Sequence, residues 1–157
     1  MNSTNAGSQR SLAGTLRRQP QPGPSHATPR VRTVAIVDDK IDAAETLSMA
    51  LAYLGYDTRV YSSGKDGLEG IEDDRPDFAL LDITLPDISG YDVARQIATA
   101  PWGKHIKLIA ITGWGHADDN ADALAAGFHA RFVKPVEFQQ LAAAMDAMCT
   151  AAESPTA

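Results

Sequence analysis

The sequence predicts an α/β domain: a parallel β-sheet with helices packed on both faces. Two observations carry the prediction. From Thr33 onward, short apolar runs alternate with segments that are apolar on one helical face. In addition, the polar residues best suited to chemistry fall directly after four of those runs. That is where an open parallel sheet places its functional crevice.

Taken in order, Val34-Ala35-Ile36-Val37 reads as a buried strand, a continuous apolar run being what a strand covered on both faces requires. Ile41, Ala44, Leu47, Leu51 and Leu54 then share one helical face, with Gly55 as C-cap. Thr58 to Tyr61 is a weaker run and reads as an edge strand. Leu68 and Ile71 mark a shorter helix, Phe78-Ala79-Leu80-Leu81 the third strand, and Val93 and Ile97 the next helix. Leu108-Ile109-Ala110-Ile111 is the fourth strand. A helix marked by Ala117, Ala121 and Leu124 follows and stops near Gly127. Phe132-Val133 is the last strand, and Phe138, Leu141, Met145 and Met148 form the stripe of the last helix. Five strands alternating with five helices imply parallel pairing through crossover helices.

Composition sets the class. The chain of 157 residues is 44% hydrophobic and 22% charged, as soluble globular domains are. No apolar run approaches the roughly 20 residues that span a bilayer. Arg10, Arg17 and Arg18 have no apolar stretch beside them, which argues against a secretory signal. The one cysteine, Cys149, rules out an internal disulfide and suits a reducing cytoplasm. Residues 1–32 hold five arginines and no acid, whereas the remainder holds nine Lys/Arg against all 20 Asp/Glu. A basic tail rich in Ser, Gly, Gln and Pro is thus expected to be disordered, followed by an acidic domain over 33–150 and a frayed end at 151–157. An acidic domain argues against a nucleic-acid surface and leaves room for a bound cation.

The residues after the strands are Asp38 and Asp39, Asp82, Thr112, and Lys134 before Pro135. Taken singly each has an ordinary reading: a helix cap, a turn, a solvated charge. Taken together they place three carboxylates on one rim, costly unless a cation sits among them. Hard oxygen donors without His or Cys favour Mg²⁺ over Zn²⁺. A lysine and a hydroxyl beside them can hold the oxygens of a phosphoryl group moving onto a carboxylate.

The motifs Val37-Asp38-Asp39, Leu81-Asp82-Ile83-Thr84-Leu85-Pro86-Asp87-Ile88-Ser89-Gly90, Ile111-Thr112-Gly113 and Val133-Lys134-Pro135 resemble the signatures of response-regulator receiver domains. The likeness spans roughly residues 33–149. It implies a flavodoxin-like (βα)5 fold with strand order 2-1-3-4-5 and Mg²⁺-dependent phosphotransfer from a phosphohistidine. By the resemblance, Asp82 is the phosphoacceptor and Asp39 a direct Mg²⁺ ligand, with Asp38 acting mostly through water and the Thr84 carbonyl completing the shell. Thr112 and Lys134 hold phosphoryl oxygens. The Lys134–Pro135 bond is expected to be cis, Gly113 to keep bulk from the acceptor, and Pro86 and Gly90 to shape the loop after the third strand. Trp114, with Gly115, is a candidate lid or partner contact.

His105, His116 and His129 lack ligand spacing and read as surface or loop residues; His26 lies in the tail. One position departs from the family pattern. Arg131 stands three residues before the lysine, where many receivers carry a switch aromatic, and Phe132 beside it points to the opposite face of its strand. Arg131 is expected to change the readout without abolishing acceptance.

The implied partners are a histidine kinase or a histidine phosphotransfer protein, and a downstream protein engaged through the fourth helix, fifth strand and fifth helix. The module is expected to be cytoplasmic, a monomer or weak dimer, with no output domain, and to catalyse only its own phosphorylation and slow dephosphorylation. Contact, onward relay and sink roles all stay open. The rival is a phosphatase of the haloacid-dehalogenase type, which needs an Asp-x-Asp pair after the first strand that this chain lacks. A degenerate, unphosphorylated interaction domain is disfavoured by the intact acceptor set.

Overall fold

The computed structural model describes residues 30–113 and 120–153. The expectations for the N-terminal tail with His26, for Trp114, Gly115, His116 and Ala117, and for the last four residues fall outside that range. Along the chain run β1 (Thr33–Val37), α1 (Ile41–Tyr53), β2 (Asp57–Tyr61), α2 (Gly64–Asp74), β3 (Phe78–Asp82), α3 (Gly90–Thr99), a 3₁₀ turn (Pro101–Gly103), β4 (Lys107–Thr112), α4 (Asn120–Ala126), β5 (Ala130–Val133) and α5 (Phe138–Glu153). The strands form one sheet in the order β2-β1-β3-β4-β5, and every pairing is parallel. This is the flavodoxin-like topology, with the Thr58–Tyr61 run at an edge as its weak apolar character implied.

Alternation along the strands divides the core between the two faces. Ile36, Phe78, Leu80, Ile109 and Ile111 pack with Leu47 and Leu51 of α1 and Leu141 and Met145 of α5. Val37, Ala79, Leu81 and Ala110 face Ile71 of α2, Val93 and Ile97 of α3, and Ala123 and Ala126 of α4. β3, central in the sheet, is buried along its whole length. Each such Val, Leu, Ile or Phe contributes about 1.5–3 kcal/mol when fully buried, so these two layers hold the strand ends in register.

Two helices bury less than their apolar spacing suggested. In α1 only Ala44, Leu47 and Leu51 are buried, while Ile41 and Leu54, at its ends, are 40% and 45% exposed. In α4 the buried residues are Ala123 and Ala126, and Leu124 is 71% exposed. Gly127 ends this helix at φ 104°, and the chain turns so that Phe128 enters the core and meets Tyr91 edge-on. Gly55 ends α1 the same way at φ 101°, a conformation glycine adopts without strain.

The loop 83–89 after β3 is closed tightly. The Gly90 N–H donates to the Ile83 carbonyl at 3.0 Å. A Cβ at Gly90 would stand 2.3 Å from the Asp82 carbonyl oxygen, so only glycine lets α3 start against the backbone of the β3 end. At Gly113 a Cβ would meet nothing within 4 Å among the described residues, so the backbone there leaves open space.

His129 sits in the turn before β5, as read from the sequence, but its ring serves the sheet. The ring Nδ1 accepts the Leu108 N–H at 3.0 Å, and the His129 backbone N–H donates to the Leu108 carbonyl at 2.7 Å. Burial first, then the charge of Lys107, hold this imidazole below its ordinary pKa, against the opposing Leu108 hydrogen bond. The folded state therefore favours the neutral ring. Its contribution to stability is complete above the ordinary histidine range near 6.5 and is lost as pH falls through the lower folded value. An NMR titration is expected to place His129 below the ordinary histidine value near 6.5, with exchange of the Leu108 amide speeding up as His129 protonates.

Candidate functional site

The four strand ends meet at one rim. Asp38 follows β1 and is 5% exposed, Asp82 closes β3 at 3%, and Thr112 closes β4 at 1%. Lys134 follows β5, and its bond to Pro135 is cis. In register, Asp82 lies beside Ile111 and Thr112 beside Val133, so the parallel sheet aligns residues far apart in sequence.

Two carboxylates converge on one ammonium. Lys134 Nζ donates to Asp38 Oδ2 at 2.7 Å and to Asp82 Oδ2 at 3.2 Å. The other oxygen of each acid is held by backbone close by. Asp38 Oδ1 accepts the Lys40 N–H at 2.9 Å. Asp82 Oδ1 accepts both the Thr84 N–H at 3.0 Å and the Thr84 hydroxyl at 3.1 Å. The acceptor candidate is thus fixed in orientation through both oxygens. Thr112 keeps its hydroxyl loosely engaged, 3.5 Å from the Phe132 carbonyl at the outer limit of hydrogen bonding.

The balance of charge follows from burial. Asp82 is pushed above the ordinary carboxylate range first by desolvation and then by the facing Asp38; the Thr84 N–H and Lys134 pull it back only in part. Burial alone would lower the Lys134 ammonium, but the Asp38 hydrogen bond and the two negative charges outweigh it and hold it above its ordinary value. One ammonium therefore serves two buried acids, and the pocket stays short of positive charge.

Asp39 is the exposed member of the rim. Oxygens of Asp38, Asp39 and Asp82 all lie within 4.8 Å of one another, a spacing that can enclose one cation. All three donors are hard carboxylate oxygens, with no His or Cys in the group, which suits Mg²⁺ chemically.

Arg131 lies in β5 opposite Ala110. Phe132 packs instead against the α1/α5 core, so it does not substitute for an aromatic at position 131. Sequence reading did not foresee the Thr84 side chain as a holder of Asp82, nor the role of Asp87. That carboxylate accepts the Gly64 and Lys65 N–H groups, each at 2.8 Å, at the start of α2. A Pro-Asp pair signals a turn, and nothing local indicates a helix that begins more than twenty residues earlier.

A family model described as the response regulator receiver domain matches residues 34–146. Among curated proteins, the response regulator MprA of Mycolicibacterium vanbaalenii is 29% identical over 115 residues, 73% of this chain and 49% of the relative. MprA of Mycobacterium ulcerans is 30% identical over the same shares of the two chains. This chain spans about half the length of those relatives. Among solved structures, a CheY-like receiver domain from Methylobacillus flagellatus superposes with a TM-score of 0.69 at 28% identity. The match covers 76% of this chain and 99% of that one. A CheY-like receiver domain protein from Methanospirillum hungatei gives 0.68 at 26%, covering 77% and 95%.

The shared ammonium yields a direct test. Lys134→Ala leaves two facing carboxylates without compensation, and is expected to lower metal-free stability by about 2 kcal/mol, below the range for a fully buried broken pair because Lys134 is partly exposed. Added Mg²⁺ is expected to restore more stability in the variant than in the parent, since the ammonium no longer competes. Denaturant midpoints with and without Mg²⁺ read both effects.

Proposed function

This chain belongs to the response regulator receiver domain family, and we propose that residues 33–150 accept a phosphoryl group from a phosphohistidine onto Asp82. The observation that carries this reading is the state of Asp82: almost fully buried at the end of the central strand, with one oxygen held by Thr84 and the other facing Lys134. A fixed carboxylate whose negative charge is only partly compensated is a prepared nucleophile.

In the step, a P–O bond forms to Asp82 as the P–N bond to the donor imidazole breaks, and the imidazole nitrogen keeps the electron pair. Lys134 meets the oxygens of the transferring group, and the Thr112 hydroxyl turns to donate to another. Asp38, Asp39, Asp82 and the Thr84 carbonyl are the groups that would hold Mg²⁺, which when bound offsets the charge of the phosphoryl oxygens. Among the described residues no helix is long and apolar enough to cross a membrane.

The donor is a histidine kinase or a histidine phosphotransfer protein. A groove of ≈ 510 Å³ runs beside the acceptor; Asp38 and Lys134 line it along with Ala43 and Leu47 of α1, Val136 and Phe138. Its apolar walls next to the reacting groups suit a helix that carries the phosphohistidine. On the opposite side of β5, the exposed Leu124 of α4 and Val133 support signalling by protein contact through α4, β5 and α5.

Incubation with acetyl phosphate and Mg²⁺, followed by intact mass, is expected to show one added phosphoryl group. Asp82→Asn should lose it and Arg131→Ala should keep it, because Arg131 stands outside the acceptor set. An unchanged mass for the parent would overturn the reading. With a protein donor, Ala43→Arg is expected to slow transfer at least tenfold by obstructing the groove, while labelling by acetyl phosphate stays at the parental rate. Equal slowing of both reactions would argue against docking there.

A further inference from the structure

The loop 83–89 is fastened at two ends by different means. At the near end Thr84 donates twice to Asp82, and Gly90 closes the turn onto Ile83. At the far end Asp87 reaches across to another helix. Its Oδ1 takes the Gly64 N–H and its Oδ2 the Lys65 N–H, both at 2.8 Å. These are the first two residues of α2, whose N–H groups have no partner inside the helix. The contact is close-packed as well as polar: a Cβ at Gly64 would lie 2.5 Å from Ile88 Cγ1. The Lys65 N–H foremost, with the Gly64 N–H, holds the Asp87 carboxyl down at about 2, so it stays ionised wherever the protein is expected to work.

The remaining capping of α2 is independent of the loop. The Ser63 hydroxyl accepts the Asp66 N–H at 3.1 Å, and the Ser63 carbonyl accepts the Gly67 N–H at 2.9 Å. Asp87 is thus not needed to satisfy the whole helix end. What it adds is a clasp between α2 and the segment that carries Thr84. Asp87 lies outside the cluster formed by Asp38, Asp39 and Asp82, so it acts on that cluster through the backbone.

We propose that Asp87 is a positioning residue for the phosphoacceptor site: by clasping loop 83–89 to the start of α2, it holds the Thr84 carbonyl where the cation needs it. This inference rests on the reading of Asp82 and its neighbours as a Mg²⁺-dependent acceptor. A loop anchored only at Thr84 samples more conformers, and apparent cation affinity falls by the fraction that remains competent. Residues that orient ligands in this way typically cost 10–100-fold in affinity when removed.

The test uses the full 157-residue chain and Mg²⁺ alone, titrated by calorimetry. Asp87→Ala is expected to raise the Mg²⁺ dissociation constant about tenfold, with the labelling rate at saturating Mg²⁺ and acetyl phosphate unchanged. Asp87→Asn, which keeps an acceptor for one of the two N–H groups, is expected to fall between Ala and the parent. Ser63→Ala removes a cap from the same helix end without touching the loop, and is expected to leave Mg²⁺ affinity at the parental value. Metal-free amide exchange provides a second readout: the Thr84 amide speeds up in Asp87→Ala and does not in Ser63→Ala. Parental affinity in Asp87→Ala, or equal weakening in Ser63→Ala, overturns the positioning role. A parent chain that binds no Mg²⁺ and takes no phosphoryl group overturns the acceptor reading itself.

Discussion

Two carboxylates buried side by side, Asp38 and Asp82, face a single ammonium from Lys134, and this imbalance constrains the rest of the structure. Burying an anion is costly, and burying two together adds their mutual repulsion. Lys134 offsets part of that cost, and backbone or side-chain donors from Lys40 and Thr84 offset more. What remains is a pocket still deficient in positive charge, expressed in the upward displacement of Asp82. Under the proposed function, a bound cation and a phosphoryl group would meet that deficit.

Holding these groups at hydrogen-bonding distance demands a rigid frame, and the parallel sheet supplies it. Registered strands bring residues 38, 82, 112 and 134 to the same rim, while the two apolar layers on either face keep the strands from slipping. The loop after β3 must turn sharply without disturbing Asp82. Gly90 makes this possible by letting α3 begin against the Asp82 backbone. The exposed side chains of Leu124 and Val133 lie outside both apolar layers.

The order of elements was legible because an apolar strand run and a one-faced helix differ in period, and the pattern survives in a single sequence. β1, β3 and β4 were clear because strands covered on both faces must be apolar throughout. The burial of individual helix residues was less legible. Ile41, Leu54 and Leu124 fit the helical period but lie where the helices end or turn away from the sheet. The closeness of Asp38, Asp82 and Lys134 could be anticipated from the places where strands stop. The clasp made by Asp87 could not, because its partners start a helix more than twenty residues earlier. The Thr84 contact with Asp82 is local, two residues apart, and was missed although an Asp side chain commonly accepts the N–H two residues on.

By itself, the sequence determined the class of fold, the rim on which chemistry is possible, and the residue types placed there. These are consequences of local periodicity and of polar residues following strands, both written in neighbouring positions. Only the tertiary structure decided which oxygen meets which donor, that one lysine is shared between two acids, and that a carboxylate at position 87 clasps a helix starting at position 64. Those outcomes depend on distances between segments far apart in the chain, which packing sets and local pattern does not contain. Asp82 shows the division: its place at the strand end could be read from sequence, whereas its partners and its displaced proton affinity belong to the folded rim.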